Sequence, residues 1–163
     1  MTAQIPDSIL YENESLSLCD EPLSVWFELN DMEESPFKAT SSANWRGYVA
    51  TWEIINRRLY LVEVEGTFKD GRHGSLAALF PGFPDRVFAH WYSGRLRIPR
   101  DKLLNYVHMG YASEYEQDIF LDIDCGVLTH VDIKENGKAP PDADDGYQVM
   151  AATMFGEIGR AHV

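Results

Sequence analysis

Residues 45–66 read WRGYVATWEIINRRLYLVEVEG, two apolar runs around a short polar turn. Tyr48, Ala50, Trp52 and Ile54 alternate onto one face, the two-residue period of a strand. A two-residue turn at Asn56-Arg57 sets Ile54 opposite Leu59 and Trp52 opposite Leu61. That register joins the apolar sets on one face, as a buried hairpin requires. The other face carries Val49, Thr51, Tyr60, Val62 and Val64, so it too is expected to be partly covered. The stretch therefore reads as a central hairpin with Trp52, Ile54, Leu59 and Leu61 in the core. Only its ends, Trp45-Arg46 and Arg57-Arg58, keep a functional option.

The same patterning extends outward. Val87–Tyr92 and Arg95–Ile98 read as a hairpin around Ser93-Gly94, with Trp91 opposite Leu96 and Ala89 opposite Ile98. Its other face gathers Phe88, His90, Tyr92, Arg95 and Arg97. Further on, Ile119, Leu121 and Ile123 precede Val127, Thr129, Val131 and Ile133 in strict alternation. Joining those faces pairs Ile123 with Val127 and leaves a three-residue loop, Asp124-Cys125-Gly126, closed by glycine. Near the start, Ser8–Glu12 and Ser15–Leu18 form a first hairpin or a pair of edge strands. Asp20 is placed to cap a helix and Pro22 suits its first turn. Leu23, Trp26, Phe27, Leu29 and Met32 then recur at helical spacing, which predicts a helix from Pro22 to about Met32. Ser75–Phe80 fits helix or strand, KDGRHG at 69–74 is a loop, and Lys102–His108 leans to strand.

These elements predict an α+β fold, mainly antiparallel β: a meander of hairpins forming a sheet or partly open barrel with one packed helix. Residues 8–135 make a single β-rich domain, preceded by a tail at 1–7 and followed by a linker or tail at 136–156. The 163 residues and the apolar fraction of 45% suit one domain with a real core. No run approaches the roughly 18 apolar residues of a membrane helix. The N-terminus lacks the charged and apolar regions of a secretory signal. Two distant cysteines suggest free thiols in a reducing compartment, which points to the cytoplasm.

The net charge of −12 is unevenly spread. Residues 1–37 carry nine acids and no Lys or Arg; residues 38–102 carry eleven bases and six acids; residues 103–163 carry three bases and eleven acids. The overall sign disfavours binding to nucleic acid or anionic membrane. The basic middle is explained either by acidic ends packing against it, or by an anion-binding face of Arg46, Arg57, Arg58, Arg95 and Arg97.

No catalytic signature stands out. Histidines lack the spacing of metal ligands, and there is no Cys-x-x-Cys, so neither metal nor cofactor is expected. Asp122 to Gly126 has the opening of a calcium loop without its distal glutamate. No Gly-x-Ser-x-Gly elbow and no phosphate-binding loop occurs. The most suggestive segment is YVHMGYASEY, Tyr106 to Tyr115, in which three tyrosines, a histidine and Glu114 surround Gly110. Tyrosine combines an apolar face with a polar tip, which suits ligand or partner contact. The candidate binding set is His90, Tyr92, Arg95, Arg97, Tyr106, His108, Tyr111 and Glu114, lining one concave surface.

The segments WRGYVATWEI, RLYLVEVEG, SGRLRIP and YVHMGYASEYEQDIFLDI resemble a group of uncharacterised bacterial proteins, over roughly residues 8–135. The resemblance implies a bacterial, cytoplasmic origin and carries no activity. The last seven residues, EIGRAHV, resemble the translation of a common short-read sequencing adapter, whose codons end in a stop where the chain ends. That resemblance implies that 157–163 are an artefact and that the natural chain continues past Gly156.

Two functions follow as expectations. The first is a non-enzymatic interaction protein, an immunity or antitoxin-like acidic partner for a basic protein. The alternative is a small β-rich enzyme or ligand-binding protein, using His90, His108, Tyr111 and Glu114 with Arg95 or Arg97 on a small anionic ligand.

Overall fold

The computed structural model describes residues 3–32, 35–39, 41–83, 85–105 and 110–140. In chain order the elements are β1 (Asp7–Tyr11), β2 (Glu14–Leu18), α1 (Pro22–Leu29), β3 (Tyr48–Ile55), β4 (Arg58–Gly66), α2 (Leu76–Leu79), β5 (Val87–Phe88), β6 (Gly94–Asn105), β7 (Glu114–Asp124) and β8 (Val127–Glu135). The strands share one sheet in the order β2-β1-β3-β4-β8-β7-β6, with β5 added on β4. The fold is mainly antiparallel α+β, as the patterning predicts. Two joints depart from a meander: β1 lies parallel to β3, with Ile9 beside Trp52, and β4 meets β8, with Arg58 opposite Val127.

The β3–β4 hairpin is central and keeps its expected register, Ile54 opposite Leu59 and Trp52 opposite Leu61. Asn56 and Arg57 sit at φ 51° and 62°, the backbone with which a two-residue turn matches strand twist. A bulge leaves Val62 unopposed between the Thr51–Glu63 and Trp52–Leu61 pairs. It rotates the remainder of β4, so Val64 turns into the core rather than to the outer face expected for it.

Two hairpins are corrected. The β7–β8 turn has two residues, Cys125 (φ 48°) and Gly126 (φ 83°), and Asp124 faces Val127. Leu128 becomes the inward residue opposite Ile123, while Val127 is exposed. Thr129 then bulges, restoring phase so that Val131 faces Leu121 and Ile133 faces Ile119. The hairpin expected around Ser93-Gly94 does not form. Val87 and Phe88 lie on β4, with Phe88 opposite Tyr60. Tight turns follow, closed by His90 N–H to Phe88 O and Tyr92 N–H to Ala89 O. Trp91 leaves the sheet to stack on Phe80 and donate its indole N–H to Pro22 O at 2.8 Å. β6 pairs instead with β7, Leu96 opposite Leu121 and Ile98 opposite Ile119. Alternation alone fits either partner for β6; the longer apolar ladder on β7 wins.

α1 stops at Leu29, short of Met32. Asp31 is left-handed (φ 58°), and Met32 N–H returns to Phe27 O at 2.9 Å while Asp31 N–H bonds Glu28 O. This is a Schellman closure. Asp20 does not cap the helix; Glu21 holds that position without a side-chain bond, and Asp20 accepts Arg97 N–H at 2.7 Å. The segment 75–80 resolves as helix α2, capped by Ser75.

The expected tail is also corrected. Ala3 and Ile5 are fully buried, and Gln4 N–H donates to Gly110 O at 2.8 Å. Asn136 bonds Glu116 O and Tyr115 O, so the start of the expected linker packs on β7. Residues 141–163, with the rest of that linker and the suspected artefact, lie outside the described residues.

The sheet curls until its ends meet. Cys19 N–H donates to Arg97 O at 2.9 Å, and Arg100 pairs with Glu14 at 3.2 Å, bringing β2 beside β6. The core fills this curl: Ile9, Leu18, Trp52, Leu59, Leu61, Leu96, Ile98 and Leu121 are all fully buried.

Candidate functional site

The predicted binding residues separate. His90 is exposed and packs its ring on Trp91, 5.7 Å between centroids. Tyr92 is a core residue, its phenol pushed up to about 12 by burial and by Asp20. Arg95 and Arg97 share the outer face of β6. Arg95 holds Asp122 and Asp132, each at 2.9 Å, and covers the Phe120 ring. Arg97 binds Asp118 at 2.8 Å and donates to Tyr111 O at 2.6 Å and Ser113 O at 2.8 Å. Glu114 is exposed at the start of β7, opposite Asn105. Tyr106 and His108 lie outside the described residues. Of the predicted set, among the described residues, Arg97 and Tyr111 are the pair shown in direct contact.

The uneven charge has a structural basis. Arg46 pairs with Asp7, Arg100 with Glu14, Arg97 with Asp118, and Arg95 with Asp122 and Asp132. Each pair ties the basic middle of the chain to one of its acidic ends. Arg57 donates to Leu128 O and Arg58 lies over Phe88. Of the five arginines of the suspected anion-binding face, Arg95 and Arg97 share the outer face of β6, each paired with acids, while Arg46, Arg57 and Arg58 serve other places in the fold.

A different polar centre lies under the N-terminal strand. Asp7 is fully buried and accepts three N–H donors: Arg46 Nη2 at 2.6 Å, Trp52 Nε1 at 2.9 Å and Ala50 N at 3.0 Å. Burial pushes the Asp7 carboxyl up, and the Arg46 charge with these donors opposes it. A shell made only of donors fits the ionised carboxylate. Arg46 also donates to Ile5 O at 2.8 Å and covers the Tyr48 ring at 5.0 Å. Burial works against the guanidinium's charge, but the Asp7 carboxylate outweighs it and raises Arg46.

Beside this pair runs a hydrogen-bond chain. Ser24 Oγ donates to Glu21 Oε1 at 3.1 Å, so its only proton is used and Tyr48 OH is the donor to Ser24 at 2.6 Å. Tyr111 OH donates to Glu21 Oε2 at 2.8 Å. Burial raises both phenols, Tyr48 further through the Asp7 charge and Tyr111 against the opposing Arg46 charge, so both remain donors.

Next to this centre is a cavity of about 460 Å³, between α1, the segment leading to β3 and Lys69. Its wall includes Ser24, Phe27, Phe37, Trp45, Arg46 and Lys69. None of the predicted binding residues lines it. Arg46 Nε is buried with no acceptor among the described residues.

Sequence reasoning kept a functional option for Trp45 and Arg46 but passed over Asp7, and so missed the pair, although a signal existed. Ile5, Asp7 and Ile9 are in phase on one face of a strand, and Arg46 is in phase with Tyr48, Ala50 and Trp52. Opposite charges at two inward positions point to a buried pair.

No family model, no curated protein and no solved structure matches this chain. Among the described residues, no three His, Cys, Asp or Glu side chains are grouped to hold a metal ion, and no helix is long and apolar enough to cross a membrane.

Proposed function

We propose that the chain is a non-catalytic interaction protein of the bacterial cytoplasm, of the immunity or antitoxin kind, which covers a basic surface on a partner protein. One observation carries the reading. Among the described residues, β8 from Thr129 to Glu135 has β7 as its only strand partner. This edge presents Ile133, 58% exposed, between Asp132, which Arg95 holds, and Lys134-Glu135. An open edge offers backbone donors and acceptors to an incoming strand. The chain's net charge of −12 favours encounter with a cationic partner.

The test is co-expression with the product of the gene beside its own, followed by size-exclusion chromatography. A stable complex with a basic neighbour, lost on Ile133→Lys with Glu135→Lys, is expected. A metabolic operon with no such neighbour, or a complex indifferent to those substitutions, would count against the reading.

A further inference from the structure

The backbone of β8 alternates between its neighbour and the open edge. Asn136 N–H donates to Glu116 O at 2.8 Å, one step beyond the Gln117–Glu135 pair. Alternate residues of an antiparallel strand bond to the same neighbour. Lys134 and Asp132 therefore bond to β7 as well, whereas Glu135, Ile133 and Val131 turn their N–H and C=O to the edge. No strand among the described residues meets these groups. The side chains split by face. Val131 and Ile133 stand opposite Leu121 and Ile119 on the core side; Asp132 and Lys134 stand opposite Phe120 and Asp118 on the outer side.

A second copy can lay its own β8 antiparallel along this edge. Edge-facing groups meet only if the two-fold axis falls on a residue, and three positions keep most of the strand paired: Asp132, Ile133 and Lys134. An axis at Asp132 sets that aspartate against itself, and an axis at Lys134 sets lysine against lysine. Like charges directly opposite are destabilising. With the axis at Ile133, Asp132 of each copy faces Lys134 of the other, and Ile133, 58% exposed, meets its own counterpart. Arg95 occupies Asp132 Oδ2, while Oδ1 has only His130 near it, at 3.5 Å; a carboxylate accepts several donors.

We infer that two copies of this chain pair β8 to β8 in an antiparallel dimer whose axis passes through Ile133. Val131, Ile133 and Glu135 of the two copies exchange about six backbone hydrogen bonds. The contact is small and each copy carries a net charge of −12, so the dimer is weak and needs salt to screen the repulsion. The inference goes beyond the partner reading: a basic partner on this edge displaces the second copy.

Sedimentation equilibrium of the full chain tests this, at about 0.15 M salt, where the screening length is about 8 Å. The parent is expected to show a monomer–dimer equilibrium below about 1 mM, the range of weak contacts. Asp132→Lys and Lys134→Asp each set like charges opposite one another, and each is expected to weaken self-association at least about tenfold, although the first lowers the net repulsion. Mixed in equal amounts, the two variants have the parent's total charge and opposite charges at both positions, so association is expected to return to the parent's level. Their melting temperatures should stay near the parent's, since the Arg95–Asp132 pair is exposed. A monomer at every concentration up to about 1 mM, single variants that associate like the parent, or a mixture that stays monomeric would each overturn the dimer, and each leaves the partner reading standing.

Discussion

Arg46 Nη2 lies 2.6 Å from Asp7 Oδ1, and both side chains are closed to solvent, 6% and 0% exposed. Such a pair is held by mutual compensation, so losing one member is worse than losing both. Arg46→Met is expected to destabilise the fold by about 3–5 kcal/mol, because an ionised carboxylate is left buried. Asp7→Asn with Arg46→Met should recover part of that loss. Urea denaturation of the two single variants and the double variant reads the coupling; strict additivity would show that the pair does not act as a unit.

Asp20 gives the fold a pH dependence. Its carboxyl is pushed up to about 6 by burial, against the pull of the Arg97 N–H and charge. The folded value lies above the ordinary 3.8, so the native state holds the proton more tightly than the unfolded chain. This contribution favours folding at low pH and is lost as pH rises from about 4 through 6. Asp20→Asn keeps an acceptor for Arg97 N–H and removes the titration. The melting temperature of the variant relative to the parent should therefore climb across that window and level off above it. A constant difference from pH 4 to 8 would refute the assignment.

Gly126 occupies a left-handed turn position, φ 83°, and a Cβ there would stand 2.7 Å from Ala89 O and from the Phe88 ring. The first contact is with backbone and cannot swing away. Gly126→Ala is expected to cost about 1–3 kcal/mol, from backbone strain and displacement of β5. Gly71 has a similar positive φ with open space around it, so Gly71→Ala should cost less in the same thermal assay.

Arg97 joins three partners through one planar group: Asp118, Tyr111 O and Ser113 O. A lysine has the charge without the fork. Arg97→Lys should lose about 1–3 kcal/mol, because a single ammonium cannot reproduce the charge-assisted bonds to Asp118 and both carbonyls at once. Faster amide exchange localised near Ser113 would accompany the loss, whereas unchanged exchange there would place the cost elsewhere.

The hairpins were legible where pattern and turn chemistry agreed. Asn56-Arg57 bends the chain where the apolar sets demand it, and the expected register of β3 and β4 holds around Trp52. Prediction slipped where the two-residue period was broken. Val62 and Thr129 each insert one extra residue, and the side chains beyond them change phase. Nothing in alternation announces a bulge before the partner strand is known. Pairing between distant strands was likewise hidden, because Leu96 and Ile98 fit any apolar ladder and take the one on β7. Of the candidate site, the sequence pointed to Trp45, Arg46, Arg97 and Tyr111. It also contained the phase of Asp7 and Arg46, obscured by reading the first seven residues as a tail.

The parallel joint between β1 and β3 bears on how the chain assembles. β1–β2, β3–β4 and β6–β7–β8 close between near neighbours, which is quick. The carboxylate of Asp7 finds Ala50 N–H only across 43 residues, and that loop must close before its contacts are gained. During synthesis the first hairpin therefore emerges with Ile5 and Ile9 uncovered, and remains so until the strand carrying Trp52 has left the ribosome. The N-terminal fifth of the molecule is made first and stays unsecured until about a third of the chain has emerged, and in that interval its apolar face is open to aggregation and to chaperones.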